Sequence, residues 1–268
     1  MIDTLLVTGA NGGVAKLIRP LLADIAHEIR LSDISDVTNL AEHETFIKAD
    51  LADYDQVKQM VAGVNAILHL GGISTEHSWD DILQANIIGV HNLYRAALNS
   101  GKPRIIFASS NHTVGAYSFN EVLDANALPR PDSYYGVSKV FGESVARMYF
   151  EKYGLESAIV RIGSCFEKPV DPRMLYTWFS ARDFVGLTET IVNATQLNCP
   201  IVYGRSNNSR HFWDNSLTND LGWQPQDSSD IFVSEVNTPE NLKKAQKSGL
   251  MDYQGGLWLK SPLVNIED

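Results

Sequence analysis

The segment TLLVTGANGGVAKLI (residues 4–18) decides the fold. Residues 4–8 form a short apolar run typical of a buried β-strand, and a helical pattern follows from about Val14 to Ile25. Glycines between the two let the backbone turn tightly and approach a pyrophosphate, and the helix N-terminus offers free N–H groups. This order favours a dinucleotide site over a plain strand–helix turn, with these binding residues: Gly9, Asn11, Gly12 and Gly13.

Strand and helix patterns then alternate along the first half of the chain. Apolar strands are predicted at 28–33, 45–50, 66–70, 104–110 and 157–163, and helices at 53–62, 79–99 and 133–153. This alternation is typical of a parallel sheet covered on both faces. The sequence therefore predicts an α/β fold with a doubly wound parallel sheet (a Rossmann fold) over residues 1–163.

The alternation breaks down in residues 164–268. A helix near 181–195 and a strand at 200–203 are followed by polar, loop-rich sequence. We expect a small C-terminal substrate-binding lobe packed on the core, which allows the whole chain to count as one domain.

Composition restricts the class of protein. Hydrophobic residues make up 44% of the 268 residues and the net charge is −10, so a nucleic-acid partner is not expected. No apolar run approaches the ~20 residues that span a bilayer, and no signal peptide or membrane association is predicted. Cys165 and Cys199 lie far apart and outside any metal-ligand spacing, which favours a reduced, cytoplasmic protein without a metal.

Further residues extend the predicted cofactor site. Asp33 ends the second strand, where a carboxylate bonds the adenosine ribose and repels a 2′-phosphate, so NAD is favoured over NADP. A strand-end aspartate that caps a turn is the alternative. Asp50 and Leu51 are expected to border the adenine, although Asp50 fits equally well as a helix N-cap. After the fourth strand, close backbone approach to the cofactor is expected at Leu70, Gly71 and Gly72.

Tyr135 and Lys139 are four residues apart on a predicted helix and so share one face. An ammonium beside the phenol is expected to lower the pKa of Tyr135, and the phenolate then accepts a proton from a substrate hydroxyl. Ser110 ends the fifth strand, where it either orients the substrate oxygen or caps a turn. Asn86 is expected to hold a water or a backbone carbonyl near Lys139, with a solvent-facing side chain as the alternative.

The motifs TGANGGVA, HLGG, FASSN and YGVSK, together with Asp33 and Asn86, resemble the extended short-chain dehydrogenase/reductases over residues 4–163. The resemblance implies that Ser110, Tyr135 and Lys139 are catalytic. Lys139 is also expected to hold the nicotinamide ribose. Ala15 stands where the extended pattern usually has a third glycine, so slightly looser helix–strand packing is expected.

Other strings resemble the uronate dehydrogenases over nearly the whole chain: HLGGIS (69–74), ASSNHT (108–113), RIGSC (161–165), RMLYTWFS (173–180), CPIVYG (199–204) and FWDNS (212–216). This resemblance implies oxidation of D-glucuronate or D-galacturonate at C1 by NAD⁺ to an aldarolactone. It also implies that the following residues contact the sugar acid: Ser74, Ser110, Asn111, His112, Tyr135, Ser164 and Arg173.

From the residues alone, several of these assignments have plainer alternatives. The planar fork of Arg173 suits a carboxylate, but a solvated surface arginine is the alternative, and His112 fits a satisfied loop histidine. His69 is expected in the core. Tyr134, Trp178, Phe179 and Trp258 are pocket candidates that also fit a core, with Trp258 depending most on the fold.

Two other functions remain open at the level of sequence. A nucleotide-sugar epimerase or dehydratase uses the same scaffold, although the short chain after Lys139 favours a small substrate. A non-catalytic NAD-sensing protein would be expected to lack the Tyr135/Lys139 pair. The helices at 79–99 and 133–153 are expected to pair with a second copy of the chain in a homo-oligomer. The sequence does not rank glucuronate against galacturonate.

Overall fold

The computed structural model describes residues 1–264, which form a seven-stranded, all-parallel sheet in the order β3-β2-β1-β4-β5-β6-β7. The strands are β1 (Ile2–Thr8), β2 (Ala26–Asp33), β3 (Glu44–Lys48), β4 (Ala66–His69), β5 (Arg104–Ser110), β6 (Ser157–Ile162) and β7 (Ile201–Gly204). The predicted doubly wound fold is confirmed. The strand order reverses between β1 and β4, and such a switch point opens a ligand crevice at the carboxyl ends of the strands.

Helices cover both faces of the sheet. They are α1 (Gly13–Ile18), α2 (Tyr54–Met60), α3 (Trp79–Ile82), α4 (Gly89–Asn99), α5 (Tyr134–Tyr153), α6 (Met174–Thr177), α7 (Ala181–Asn193), α8 (Val233–Val236) and α9 (Pro239–Ser248). The Ser133 hydroxyl caps the start of α5 by accepting from Gly136 N at 2.9 Å, and Gly154 ends the helix with a φ of 65°. None of the helices within residues 1–264 is long and apolar enough to cross a membrane.

Two predicted helices differ in the structure. The first ends at Ile18 rather than near Ile25, because Pro20 lacks an N–H and its ring would clash with the carbonyl four residues earlier. A 3₁₀ turn, Arg19–Leu21, takes its place. The helix predicted over 79–99 is α3 and α4 joined through a wider π-helical turn, Leu83–Ile88. Single π-turns of this kind occur often at functional sites.

Alternate residues of the strands build a core on each face of the sheet. Leu5 and Val7 of β1 point toward α1 and α7, whereas Leu6 packs with the side chains of α2, α4 and α5. Burial on both faces explains why the central strands, β1, β4, β5 and β6, read as nearly continuous apolar runs. A third cluster joins the loop after β5 to the loop after β7 through Phe119, Leu123 and Trp213.

The sheet continues beyond residue 163, because β7 pairs with β6. The division of the chain after residue 163 stays a prediction. Near the end of the described chain, residues 253–256 run back along the loop after β5, with Gln254 N donating to Tyr117 O and Gly255 N donating to Gly115 O, both at 2.9 Å. This return brings the C-terminal segment to the carboxyl edge of the sheet.

Candidate active site

A groove of about 840 Å³ lies at the carboxyl ends of β1, β2 and β4. The predicted cofactor residues that line it are Gly9, Gly12, Gly13, Asp33, Asp50, Leu51, Leu70, Gly71 and Gly72, and Ser74 lies on the same wall. Gly9 has a φ of +68°, and a Cβ there would come within 2.8 Å of the Gly71 backbone. Glycine at both positions therefore lets the turns after β1 and β4 meet at the switch point.

Asp33 organises the loop beside the glycine-rich turn. One carboxylate oxygen accepts from Asn11 N at 2.9 Å, and the other accepts from the backbone N and the hydroxyl of Ser35. The Asn11 amide donates to Ser35 and to the carbonyl of Asp36, so this side chain holds the loop in place. The binding roles of Asn11 and Asp33 stay predictions.

Asp50 does not cap the helix that follows β3. The cap is Asp53, whose carboxylate accepts from the backbone N–H groups of Asp55 and Gln56. The N-cap alternative for Asp50 is therefore wrong, and its side chain is exposed at the groove.

Asn86 is buried within the π-helical turn, so the solvent-facing alternative is wrong. Its amide accepts from Ile73 N at 2.8 Å and donates to Ile73 O and to the Ser138 hydroxyl, each at 2.9 Å. Asn86 thus holds a backbone carbonyl, as predicted, and reaches the residue next to Lys139. A Cβ on Gly72 would lie 2.6 Å from the Asn86 amide oxygen, so this contact requires glycine.

The structure brings together Ser110, Tyr135 and Lys139. Ser110 ends β5, and Tyr135 and Lys139 are buried on the first turns of α5. Lys139 Nζ donates to Ala108 O at 2.8 Å and lies 5.6 Å from the centre of the Tyr135 ring. Ser110 caps the following 3₁₀ turn by accepting from His112 N, which confirms the capping alternative, and its role in orienting the substrate oxygen stays a prediction.

Burial dominates the electrostatics of Tyr135 and Lys139. Loss of water contact raises the pKa of Tyr135 to about 12, against the opposing effect of the Ser110 hydroxyl. Burial also lowers the pKa of Lys139 to about 8. The lowered pKa expected for Tyr135 is therefore wrong, because desolvation of the phenolate dominates and the Asp132 carboxylate adds to the increase, while the Ser110 hydroxyl opposes it.

Glu76 supports Tyr135, although no sequence pattern points to it. One of its carboxylate oxygens accepts from Tyr135 N at 3.1 Å, at the positive N-terminal end of α5. The other oxygen is buried without a hydrogen-bond partner among the described residues. Only the fold connects the loop after β4 to this helix end.

Arg173 is a buried cation, so the surface alternative is wrong. Its Nε donates to Gln254 O at 2.8 Å, and its Nη2 donates at 2.9 Å to Asn111 when that amide is oriented to match its neighbours. Within residues 1–264 no carboxylate forms an ion pair with it, and burial lowers its pKa against the smaller opposing effects of Asp171 and Asp132. Since arginine is almost never fully buried unpaired, this site is suited to an anionic ligand.

His112 lies between an acid and an aromatic ring. Its Nδ1 is 2.9 Å from Asp132 Oδ2. The ring of Trp258 stacks on the imidazole, with 3.7 Å between the ring centres. Tyr135 meets both rings edge-on, at 5.9 Å from His112 and 5.8 Å from Trp258. Of the aromatic candidates, Trp258 reaches the site. Asp132 was not singled out from the sequence.

The other aromatic candidates lie outside this cluster. Trp178 and Phe179 are buried in the core, and Tyr134 packs edge-on against Trp79. His69 is in the core, as predicted, with Nδ1 2.8 Å from the Thr8 hydroxyl.

Ser164 and Ser74 differ in their surroundings. Ser164 is buried, and its hydroxyl pairs with the Thr177 hydroxyl at 2.8 Å. Ser74 is exposed on the groove wall. Their contacts with a sugar acid stay predictions. Across the described part of the chain, no cluster of three or more histidine, cysteine or acidic side chains is arranged to hold a metal ion.

A phenol, an ammonium and a hydroxyl thus meet where β5 ends and α5 begins, and the buried guanidinium of Arg173 bonds to Asn111 beside them. This arrangement suits removal of a proton from a hydroxyl on an anionic substrate.

Comparison with known proteins agrees with this geometry. Residues 5–178 match the NAD dependent epimerase/dehydratase family. A uronate dehydrogenase of Agrobacterium fabrum (strain C58) is 48% identical, with 97% of each chain covered. The crystal structure of a glucuronic acid dehydrogenase from Chromohalobacter salexigens is 47% identical, covers 98% of both chains and superposes with a TM-score of 0.92.

A third relative has been solved with its cofactor. A tyrosine-to-alanine mutant of uronate dehydrogenase from Agrobacterium tumefaciens, complexed with NAD, is 45% identical, with 98% of this chain and 99% of that one covered and a TM-score of 0.93. The chain described here therefore belongs to the uronate dehydrogenases, within the NAD dependent epimerase/dehydratase family.

Proposed function

We propose that this protein oxidises a hexuronate, D-glucuronate or D-galacturonate, at C1 with NAD⁺ and releases the aldarolactone. The observation that carries this proposal is Arg173, a buried guanidinium without an acidic partner in the described chain, in the same site as Tyr135. A uronate supplies the missing carboxylate and also a C1 hydroxyl to be oxidised. The uronate dehydrogenases named above support the same substrate class.

The groove residues fit NAD. The turn at Gly9 and Gly71 leaves room for a pyrophosphate, and the start of α1 lies beside it. Asp33 places a carboxylate at the end of β2, where it favours free ribose hydroxyls over a 2′-phosphate. We assign cofactor contacts also to the following residues: Asn11, Gly12, Gly13, Asp50, Leu51, Leu70, Gly72, Asn86 and Lys139.

The proposed mechanism gives each side chain a separate task. Arg173 binds the carboxylate with the N–H groups that Gln254 and Asn111 leave free, which orients the sugar. Ser110 donates to the C1 oxygen, and Tyr135 accepts the C1 hydroxyl proton as the C1–O double bond forms. We assign further sugar contacts to Ser74, Asn111, His112 and Ser164.

Tyr135 needs positive charge to act as a base. With a pKa of about 12 its phenol is protonated at neutral pH, so nearby cations must favour the phenolate. Lys139 is one such cation, held 5.6 Å from the ring centre. NAD⁺, when bound, supplies the acceptor for the C1 hydride and a second positive charge.

The test is a spectrophotometric assay of NADH with each uronate and NAD⁺, run beside NADP⁺, glucose and a UDP-sugar. We expect rapid NADH formation with the uronates and little with glucose or NADP⁺. An absence of NADH with both uronates, in protein that binds NAD⁺, would overturn the proposal. Conversion of the UDP-sugar without net NADH would instead identify an epimerase.

We also propose a homo-oligomer and a cytoplasmic location. The outer face of α5 exposes Val137 and Met148, at 43% and 45% of their surface, which supports pairing of this helix with a second copy. Cys165 and Cys199 are free and buried, which supports a reducing compartment. Light scattering of the purified protein tests the first proposal; a mass of one chain, 29.7 kDa, would contradict it.

A further inference from the structure

Asp132 is a fully buried carboxylate that the mechanism above does not use. Its oxygens accept from the Ser133 hydroxyl at 3.0 Å and lie 2.9 and 3.1 Å from His112 Nδ1. No lysine or arginine forms an ion pair with it within residues 1–264. The charged partner of His112 is therefore an acid held entirely inside the protein.

Two glycines hold this carboxylate in place. A Cβ on Gly115 would lie 1.9 Å from Asp132 Oδ2, and one on Gly255 would lie 1.8 Å from the same atom. Backbone from the loop after β5 and from the C-terminal segment thus encloses Asp132 on two sides. Such contacts leave the carboxylate no room to turn away from His112.

The imidazole of His112 is fixed just as firmly. Trp258 stacks on it with an interplanar angle of 20°, and Tyr135 meets its edge. Burial outweighs Asp132 and holds the pKa of His112 below its usual value, with Arg173 adding to the decrease and Glu76 opposing it. The ring is therefore neutral at neutral pH and carries a single proton.

The position of that proton follows from the partner. An ionised carboxylate accepts hydrogen bonds and donates none, so the proton of a neutral His112 resides on Nδ1. Nε2 then presents a lone pair. Nε2 has no hydrogen-bond partner in the described chain. The atom is also not completely enclosed by protein, so another molecule can approach it. Nε2 is therefore the ring nitrogen of His112 that stays available to a ligand.

We propose that Asp132 is a positioning residue that holds His112 in its Nδ1-protonated form, so that Nε2 accepts a hydrogen bond from a sugar hydroxyl. This inference rests on the proposed function, since it places a sugar acid in the site. It divides recognition between two side chains: Arg173 donates to the carboxylate, and His112 accepts from a hydroxyl. A sugar with an acceptor oxygen opposite Nε2 is disfavoured, because two lone pairs would then face each other.

The first test reads the proton directly. Nitrogen NMR of the ¹⁵N-histidine-labelled full chain with NAD⁺ at neutral pH, assigned by comparison with His112→Phe, reports which nitrogen carries hydrogen. We expect a protonated Nδ1 and a bare Nε2. A proton on Nε2 would overturn the inference. This readout needs no turnover, so it is decisive even if no uronate is oxidised and the proposed function fails.

The second test is a double-mutant cycle. Asp132→Asn offers an amide in place of the carboxylate, and we expect kcat/KM for the uronate to fall about tenfold or more while the Kd of NAD⁺ is unchanged. Asp3→Asn, which removes the same charge from an exposed position on β1, should change neither. In a His112→Phe background, which keeps the ring stacked on Trp258, Asp132→Asn should cost less than about twofold.

If Asp132→Asn still lowers kcat/KM about tenfold in the His112→Phe background, Asp132 does not act through His112. This result would overturn the inference. Should Asp132→Asn fail to fold, the NMR of the unsubstituted protein still decides it.

Discussion

Replacing Arg173 with methionine should separate the recognition of uronates from the chemistry. Nε and one N–H of Nη2 are already bonded to Gln254 and Asn111, which leaves three N–H groups for a ligand. One charge-assisted hydrogen bond contributes about 1.5–3 kcal/mol. At about 1.4 kcal/mol per tenfold, Arg173→Met should lower kcat/KM for glucuronate by about 10- to 100-fold.

The assay is the initial rate of NADH formation over a range of glucuronate and of a neutral aldose such as glucose. Where glucose turns over too slowly, its inhibition constant against glucuronate replaces the rate. We expect kcat/KM, or the inhibition constant, of the neutral sugar to change less than about threefold, because this sugar has no carboxylate for Arg173 to bind. Equal losses with both sugars would refute the assignment of Arg173 to the carboxylate.

A matched control exists in Arg205. Its Nε and Nη1 also donate to carbonyl oxygens, those of Trp213 and Ser206, and burial also lowers its pKa. Arg205→Met should leave the preference for uronate over glucose intact. If it removes that preference, loss of a guanidinium bonded to backbone carbonyls, rather than loss of the carboxylate partner, explains the effect.

The same substitution should have little effect on stability. Arg173→Met leaves Gln254 O and the Asn111 amide oxygen without their donor, which costs about 1–3 kcal/mol for each. It also removes a buried charge whose desolvation costs several kcal/mol. The two nearly cancel, so thermal unfolding should show a Tm close to that of the unsubstituted protein, and a fall of more than about 10 °C would contradict this.

Four further outcomes are expected. Tyr135→Phe should lower kcat by about 10²–10⁴-fold while calorimetry shows unchanged NAD⁺ binding; retained turnover would remove the phenol from the mechanism. Asp33→Ala should weaken NAD⁺ binding and raise the relative use of NADP⁺ in the NADH/NADPH assay, whereas an unchanged ratio would contradict the ribose assignment. Because burial lowers the pKa of Lys139 to about 8, the unfolded chain binds more protons above that pH. The free energy of unfolding, relative to Lys139→Met in urea titrations, should therefore rise from pH 8 to 10; a flat or falling difference would show that the pKa is not lowered. Gly255→Ala places a Cβ 1.8 Å from a buried carboxylate oxygen and should lower the Tm. Gly186 lies within α7, and a Cβ there would have its nearest neighbour at 3.9 Å, so Gly186→Ala should leave the Tm equal or higher.

Much of the fold and part of the site could be predicted from the sequence because their signals are local. Apolar runs of strand length mark β1, β4, β5, β6 and β7, and the glycine-rich turn stands between its own strand and helix. The four-residue spacing of Tyr135 and Lys139 fixes a shared helix face wherever the helix lies. The ends of the elements were predicted less accurately, as for the first helix, which ends before Pro20 rather than near Ile25.

Only the tertiary structure decided the environment of these residues. Arg173 and Gln254 are 81 positions apart, and Tyr135 and Glu76 are 59 apart. Contacts over such separations follow no periodicity that a sequence displays. The pKa of Tyr135 is raised rather than lowered because desolvation sums over every group packed around the phenol, whereas the sequence shows only the ammonium one helical turn away.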